Sequence, residues 1–184
     1  MKNNKGFTLI ELVIVIIVLG ILAAAAMPKF INLQDDAKTN VLNGVKGSML
    51  SAIDIAYSKL AIDGLEGARF VNSNTRLDND SLQLRSWCAH CQFQYGYPDQ
   101  GYMNNWDSML DGVSDLNGEL DDVVMFYRNA KNKKTTTIIT LASNITHPAD
   151  LQMLKETGSG NCYIEYKYSG VKGDRPTVTL YECK

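Results

Sequence analysis

The sequence predicts an α+β protein: one long N-terminal helix packed on a C-terminal antiparallel sheet of about four strands. Three observations predict it. Residues 7–27 hold 18 apolar residues in 21 positions, and apolar residues then recur at three-four spacing as far as residue 60. The C-terminal third carries four short segments rich in β-branched and aromatic residues, separated by polar or glycine-containing turns. Between these regions, residues 62–121 are rich in Gly, Asn, Asp and Ser and keep no sustained period, as in a long connecting region with short elements. With 184 residues of which 45% are hydrophobic, the chain is not a disordered one. A single run long enough to span a bilayer excludes a polytopic membrane protein. Fourteen Gly and 4 Pro exclude collagen-like and low-complexity classes. A formal charge of −2 and a pI near 5.7 argue against an electrostatic nucleic-acid binder.

The first element follows two lysines, Lys2 and Lys5, which place the N-terminus in the cytoplasm by the positive-inside rule. Twenty-one residues at about 1.5 Å each reach roughly 31 Å, enough to cross a hydrocarbon core. A cleavable secretory signal is one reading, with the alanines at 23–26 as its cleavage site. The run is longer than an ordinary signal core, however, and it carries Glu11. A carboxylate inside lipid costs about 2.5–3.5 kcal/mol on insertion scales. A segment that is only removed gains nothing from that cost, and a plain anchor leaves Glu11 without a partner. An ionisable residue in this place points to function.

The run Gly6-Phe7-Thr8-Leu9-Ile10-Glu11 resembles the N-terminus of type IV pilins of the short-leader (type IVa) class. The resemblance implies the pilin fold. It implies that a prepilin peptidase cuts between Gly6 and Phe7, that Phe7 is then N-methylated, and that residues 7–27 are kept as membrane anchor and filament core. It gives Glu11 a partner, the terminal amine of an adjacent subunit, since neither charge is tolerated alone in an apolar filament core. Thr8, Glu11, Gly20 and Pro28 are the positions it implicates in assembly. The implied division is a leader at 1–6, a transmembrane and polymerisation helix at 7–27, an amphipathic half at 28–61 and a globular head at 62–184.

Past the anchor, apolar residues at 30, 33, 37, 41, 45, 49, 52, 53, 56 and 60 extend the helix from about Thr8 to Ala61. Gly20 and Pro28 are its weak points, because proline lacks a donor and glycine raises the cost of helical order. Their positions match the pair that bounds a stretch losing helicity in related filaments. Gly44 and Gly47 either permit close packing on the sheet or are simply tolerated. The segments 28–37, Gly44-Val45-Lys46-Gly47-Ser48 and Ala56-Tyr57-Ser58-Lys59, with Phe93-Gln94-Tyr95-Gly96-Tyr97-Pro98, are similar to mannose-sensitive haemagglutinin (MSHA) pilins. That resemblance is good over residues 6–66 and patchy beyond. It implies a major subunit of a fibre for surface attachment and biofilm formation. The implied partners are identical subunits, minor pilins, the prepilin peptidase, the inner-membrane platform protein and the inner membrane before assembly, with no cofactor and no specific nucleic acid.

In the head, residues 123–128 and 135–141 read as strands around a polar turn, residues 148–155 as a short helix, and 162–168 with 176–183 as a hairpin. If that hairpin turns between Lys172 and Gly173, Cys162 lies opposite Cys183 and Ile164 opposite Tyr181. Opposed Cβ atoms lie about 4.5–5.5 Å apart, within reach of bridging, which favours a Cys162–Cys183 disulfide. Cys88–Cys91 follows by elimination, although four cysteines allow three connectivities. Cys88-Ala89-His90-Cys91 also has ligand types for zinc and the spacing of a redox pair. It lacks a second ligand pair, a βαβ context and the histidine after the second cysteine that haem attachment needs.

The remaining candidates read more plainly. Asp107, Asp111, Asp115, Glu119, Asp121 and Asp122 lack the calcium-loop order and make a solvated face. Lys131, Lys133 and Lys134 make a charged turn that discourages edge pairing. Trp87, Trp106 and Tyr97 are either a carbohydrate-stacking surface or, as is commoner for such residues, core. His90 and His147 stand without a nucleophile motif, so the sequence carries no catalytic constellation and no metal site. Two rivals remain: a type II secretion pseudopilin or minor pilin built on the same helix, and a secreted thiol-disulfide redox protein using Cys88 and Cys91.

Overall fold

A computed structural model describes residues 8–72, 81–83, 87–88, 90–102, 104–115, 121–129, 135–145 and 162–184. The leader, Phe7, the lysine turn, Glu119, His147 and the helix expected at 148–155 lie outside them. Contacts divide the chain into two compact units, 1–37 and 38–184.

The first unit holds the N-terminal part of helix α1, which runs Leu9–Ile62. The helix is continuous through both Gly20 and Pro28, so the proline sits within it rather than ending it. The stretch Leu9–Met27 is long and apolar enough to cross a membrane, and none of the 18-residue window that defines it is buried.

In the second unit, the rest of α1 buries Leu42, Met49, Ile53, Ala56 and Leu60. These positions keep the three-four spacing that fixes one helical face. Val41, expected on that face, is exposed, and its neighbour Leu42 is buried in its place. Gly44 and Gly47 are exposed, and a Cβ on either would meet nothing within 4 Å. They are therefore tolerated in the helix and do not mediate close packing.

The main sheet has five strands in the order β5-β6-β7-β8-β9: Val113–Asp115, Val123–Asn129, Thr135–Leu141, Tyr163–Lys167 and Thr177–Tyr181. β6 to β9 are the four antiparallel strands that the sequence predicts. A fifth, β5, joins the β6 edge in parallel. One face of the sheet supplies Val123, Met125, Ile139, Leu141, Ile164 and Tyr166 to a core shared with α1. On the other face Phe126, Ile138 and Tyr163 form a small cluster of their own.

The connecting region is more ordered than its composition suggests. It forms a second sheet in the order β2-β1-β3-β4, from Ser81–Gln83, Phe70–Asn72, Gln92–Gln94 and Tyr97–Pro98. A short helix α2, Asn104–Met109, follows. Buried polar groups fasten this region to the main sheet. The Tyr166 hydroxyl donates to the Pro98 carbonyl at 2.6 Å, and the Thr137 hydroxyl donates to the Gln100 carbonyl at 3.1 Å. The Asn105 side chain accepts from the Gln92 amide at 2.7 Å and donates to the Asp99 carbonyl at 3.0 Å. Each bond satisfies a group whose burial would otherwise cost about 1–3 kcal/mol.

The last hairpin corrects the expected register. Tyr163, not Ile164, lies opposite Tyr181, and Ile164 lies opposite Leu180. The one-residue difference keeps Ile164, Tyr166, Val178 and Leu180 together on the core side. Cys162 still meets Cys183 because both lie beyond the regular ladder. Cys162 has a left-handed backbone, φ 72°, and its amide donates to both the Tyr181 and Glu182 carbonyls.

Candidate assembly and processing site

The processing bond between Gly6 and Phe7 lies outside the described residues, which begin one residue later at Thr8. Thr8 and Glu11 close the N-terminus of α1 on each other. The Thr8 amide and hydroxyl donate to one Glu11 carboxylate oxygen at 2.9 and 2.7 Å, and the Glu11 amide donates back to the Thr8 hydroxyl at 3.4 Å. This is a capping box, which satisfies amides that the first helical turn leaves without intrahelical partners. The negative carboxylate also sits at the positive end of the helix dipole. The Thr-x-x-Glu spacing that signals it is legible in the sequence.

Beyond the cap, α1 presents an unbroken apolar surface. Leu9 is 80% exposed, and Ile10, Leu12, Ile14, Ile16, Leu19, Ile21 and Leu22 are exposed with it. Burying such side chains stabilises by about 1.5–3 kcal/mol each, so this surface is stable only in lipid or against other apolar helices. Gly20 faces open space in the single chain, with nothing within 4 Å of a Cβ placed there. Pro28 lies in α1 eight residues further on.

In the head, disulfides join Cys162 to Cys183 and Cys88 to Cys91. The first closes the last hairpin. Beside it the Cys183 amide donates to the Thr39 hydroxyl of α1 at 3.0 Å, which fastens the chain end to the helix. The second packs with Ala56, Leu60, Val71 and Phe93 in the smaller core. With its sulfurs joined, this pair offers no thiolate to a metal, and among the described residues no group of three His, Cys, Asp or Glu side chains is placed to hold one. Trp87, Trp106 and Tyr97 do not share a surface. Trp106 is fully buried edge-on to Tyr166, Trp87 lies beside Phe93 beneath the Lys59 ammonium, and Tyr97 stacks on Tyr57.

Residues 1–27 match the prokaryotic N-terminal methylation motif. The chain is 48% identical over 52 residues to the type IV narrow pilus major component of Thermus thermophilus, across 28% of this chain and 45% of that protein. It is 48% identical over 79 residues to a fimbrial protein of Pseudomonas aeruginosa, across 42% and 46%. It is also 39% identical over 54 residues to the type II secretion system core protein G of Pseudomonas aeruginosa, across 29% and 38%. The chain thus spans less than half the length of these relatives. No solved structure matches it.

The methylation motif thus takes in the whole of the exposed apolar stretch Leu9–Met27, the feature by which the chain is similar to prepilins. The relatives that share this N-terminal region are named as pilus, fimbrial and type II secretion proteins.

Proposed function

We propose that this chain is the major structural subunit of an MSHA-like type IV pilus that serves surface attachment and biofilm formation. The observation that carries the reading is the exposed apolar face of Leu9–Met27 with Glu11 at its head. A prepilin peptidase removes residues 1–6 at the Gly6–Phe7 bond, and Phe7 becomes the N-methylated terminus. The platform protein then lifts the subunit from the membrane into the fibre, where 7–27 packs against identical subunits, residues 28–61 carry the head and minor pilins join. Removing two lysines with the leader leaves 16 basic against 20 acidic side chains, so the outer surface of such a fibre is acidic.

Thr8 and Glu11 supply the assembly chemistry. In the single chain the carboxylate is satisfied by its own helix cap. A carboxylate accepts at about four lone-pair sites, so the cap leaves it capacity for the terminal amine of a neighbour. The pair fixes register more than it adds net stability. Gly20 and Pro28 bound a stretch that yields when the fibre is pulled. The cysteine pairs keep the head closed outside the inner membrane, where disulfides persist.

Glu11→Ala is expected to be cleaved and inserted normally but to form no surface fibres, as read by immunoblot of membranes and of sheared surface material. Normal piliation by the variant would overturn the reading. A second reading, a pseudopilin of type II secretion, is favoured by the likeness to core protein G in the same helix. Long fibres in the sheared fraction of the unaltered strain would exclude that reading, and their absence with intact secretion dependence would support it.

A further inference from the structure

A cleft of about 420 Å³ in the head is lined by Tyr57, Glu66, Tyr95, Tyr97, Lys172 and Arg175, with Gly67 and Gly173 on its rim. We propose that this cleft binds an acidic saccharide, with Tyr95 against the sugar face and the two cations on its carboxylate. The proposal concerns the unit 38–184 alone and stands whether or not the chain polymerises.

The first argument is backbone conformation. Gln94 pairs with Tyr97 across a two-residue hairpin turn, and both turn residues have positive φ: 48° at Tyr95 and 84° at Gly96. Such turns favour Asn, Asp or Gly at the first position. A bulky aromatic there is an outlier, and strain of this kind gathers at ligand sites. Tyr95 stands half-exposed on the cleft wall. Behind it the wall is set by close packing. A Cβ on Gly96 would lie 2.7 Å from the Tyr57 ring, and that ring stacks on Tyr97 at 5.0 Å.

The second argument is polar chemistry. One carboxylate oxygen of Glu66 is buried and has no hydrogen-bond partner among the described residues. A carboxylate only accepts, so its unmet capacity marks this wall as a polar one, although the oxygen itself is sealed from the cleft. Lys172 and Arg175 are exposed, and among the described residues neither is ion-paired. The Lys172 ammonium lies beside Gly67, 3.7 Å from where a Cβ there would stand. The rim is locally cationic on a chain whose net charge is −2, so general attraction to polyanions does not explain an anion held here. The two cations also argue against a cationic ligand caged by the tyrosines.

The test titrates trigalacturonate and neutral maltotriose into the full-length chain in detergent micelles, followed by tyrosine resonances. Trigalacturonate is expected to bind about tenfold tighter than maltotriose, the scale of one charge-assisted hydrogen bond. Lys172→Gln with Arg175→Gln should remove that advantage. Tyr95→Asn, which suits the turn and so preserves the fold, should weaken binding at least about fivefold, the scale of one lost stacking contact. Lys46→Gln, away from the cleft on α1, should leave binding unchanged. Equal affinity for the two sugars, full binding by Tyr95→Asn, or an equal loss in Lys46→Gln would each overturn the proposal.

Discussion

Replacing Gly96 with alanine tests how tightly the head is built around its hairpin. Gly96 has φ 84°, and a Cβ there would stand 2.7 and 2.8 Å from two atoms of the Tyr57 ring and 3.3 Å from the Glu66 carbonyl. The left-handed backbone alone costs a side-chain-bearing residue about 1–2 kcal/mol. Tyr57 cannot move away freely, because its ring is stacked on Tyr97, which in turn meets Tyr168 edge-on at 5.5 Å. Forcing a methyl into such packing costs about 1–3 kcal/mol more. The sum is a destabilisation of about 2–5 kcal/mol. Gly112 supplies the control, since it has φ 77° but nothing within 4 Å of a Cβ. Gly112→Ala should therefore show the backbone cost alone, about 1–2 kcal/mol. Urea unfolding of the full-length variants in detergent micelles, followed by near-ultraviolet circular dichroism, measures both. If the two variants lose the same stability, the packing described around Tyr57 is wrong.

Two further outcomes follow from the head. Cys162→Ser with Cys183→Ser opens a bridge of sequence separation 21 and should cost about 3 kcal/mol, measured in the same unfolding assay; a loss below about 1 kcal/mol would contradict it. Burial, helped by the neighbouring Tyr97, pushes the Tyr168 hydroxyl up to about 12, while in the unfolded chain it titrates near 10. Its contribution is therefore fully present below pH 10 and is lost as pH rises through about 12. Burial also raises Tyr127 and Tyr166, which add to the same alkaline loss. Unfolding scans against pH, with tyrosinate absorbance read alongside, should show stability falling across that window. A flat profile there would contradict the burial of these rings.

Much of this architecture is legible in the sequence because it is periodic. The three-four spacing marks α1, and period-two runs with turn residues between them mark β6 to β9. What escaped is short or non-local. β5 has three residues, Val113–Asp115, inside a stretch that reads as an acidic surface, and it exists through parallel pairing with a strand that has its own hairpin partner. The strands of the smaller sheet are two or three residues long and are held by side chains such as Tyr166 and Asn105 from elsewhere in the fold. The final hairpin slipped by one residue against expectation because a turn chosen from its glycines carries no information about which face is buried. Burial of Ile164 with Leu180 decides it. At the N-terminus the residue types are readable, and the reciprocal bonds of Thr8 and Glu11 show that in the single chain the carboxylate caps its own helix.

The central claim, that the apolar helix is processed and retained rather than discarded, comes down to the first residue of the mature chain. Mass spectrometry of the N-terminal peptide from membranes and from surface fibres measures it directly. The account predicts that both begin at Phe7 and carry one N-methyl group. A mature chain beginning near Ala25 to Met27 would show that α1 had been cut away as a signal, and would contradict it.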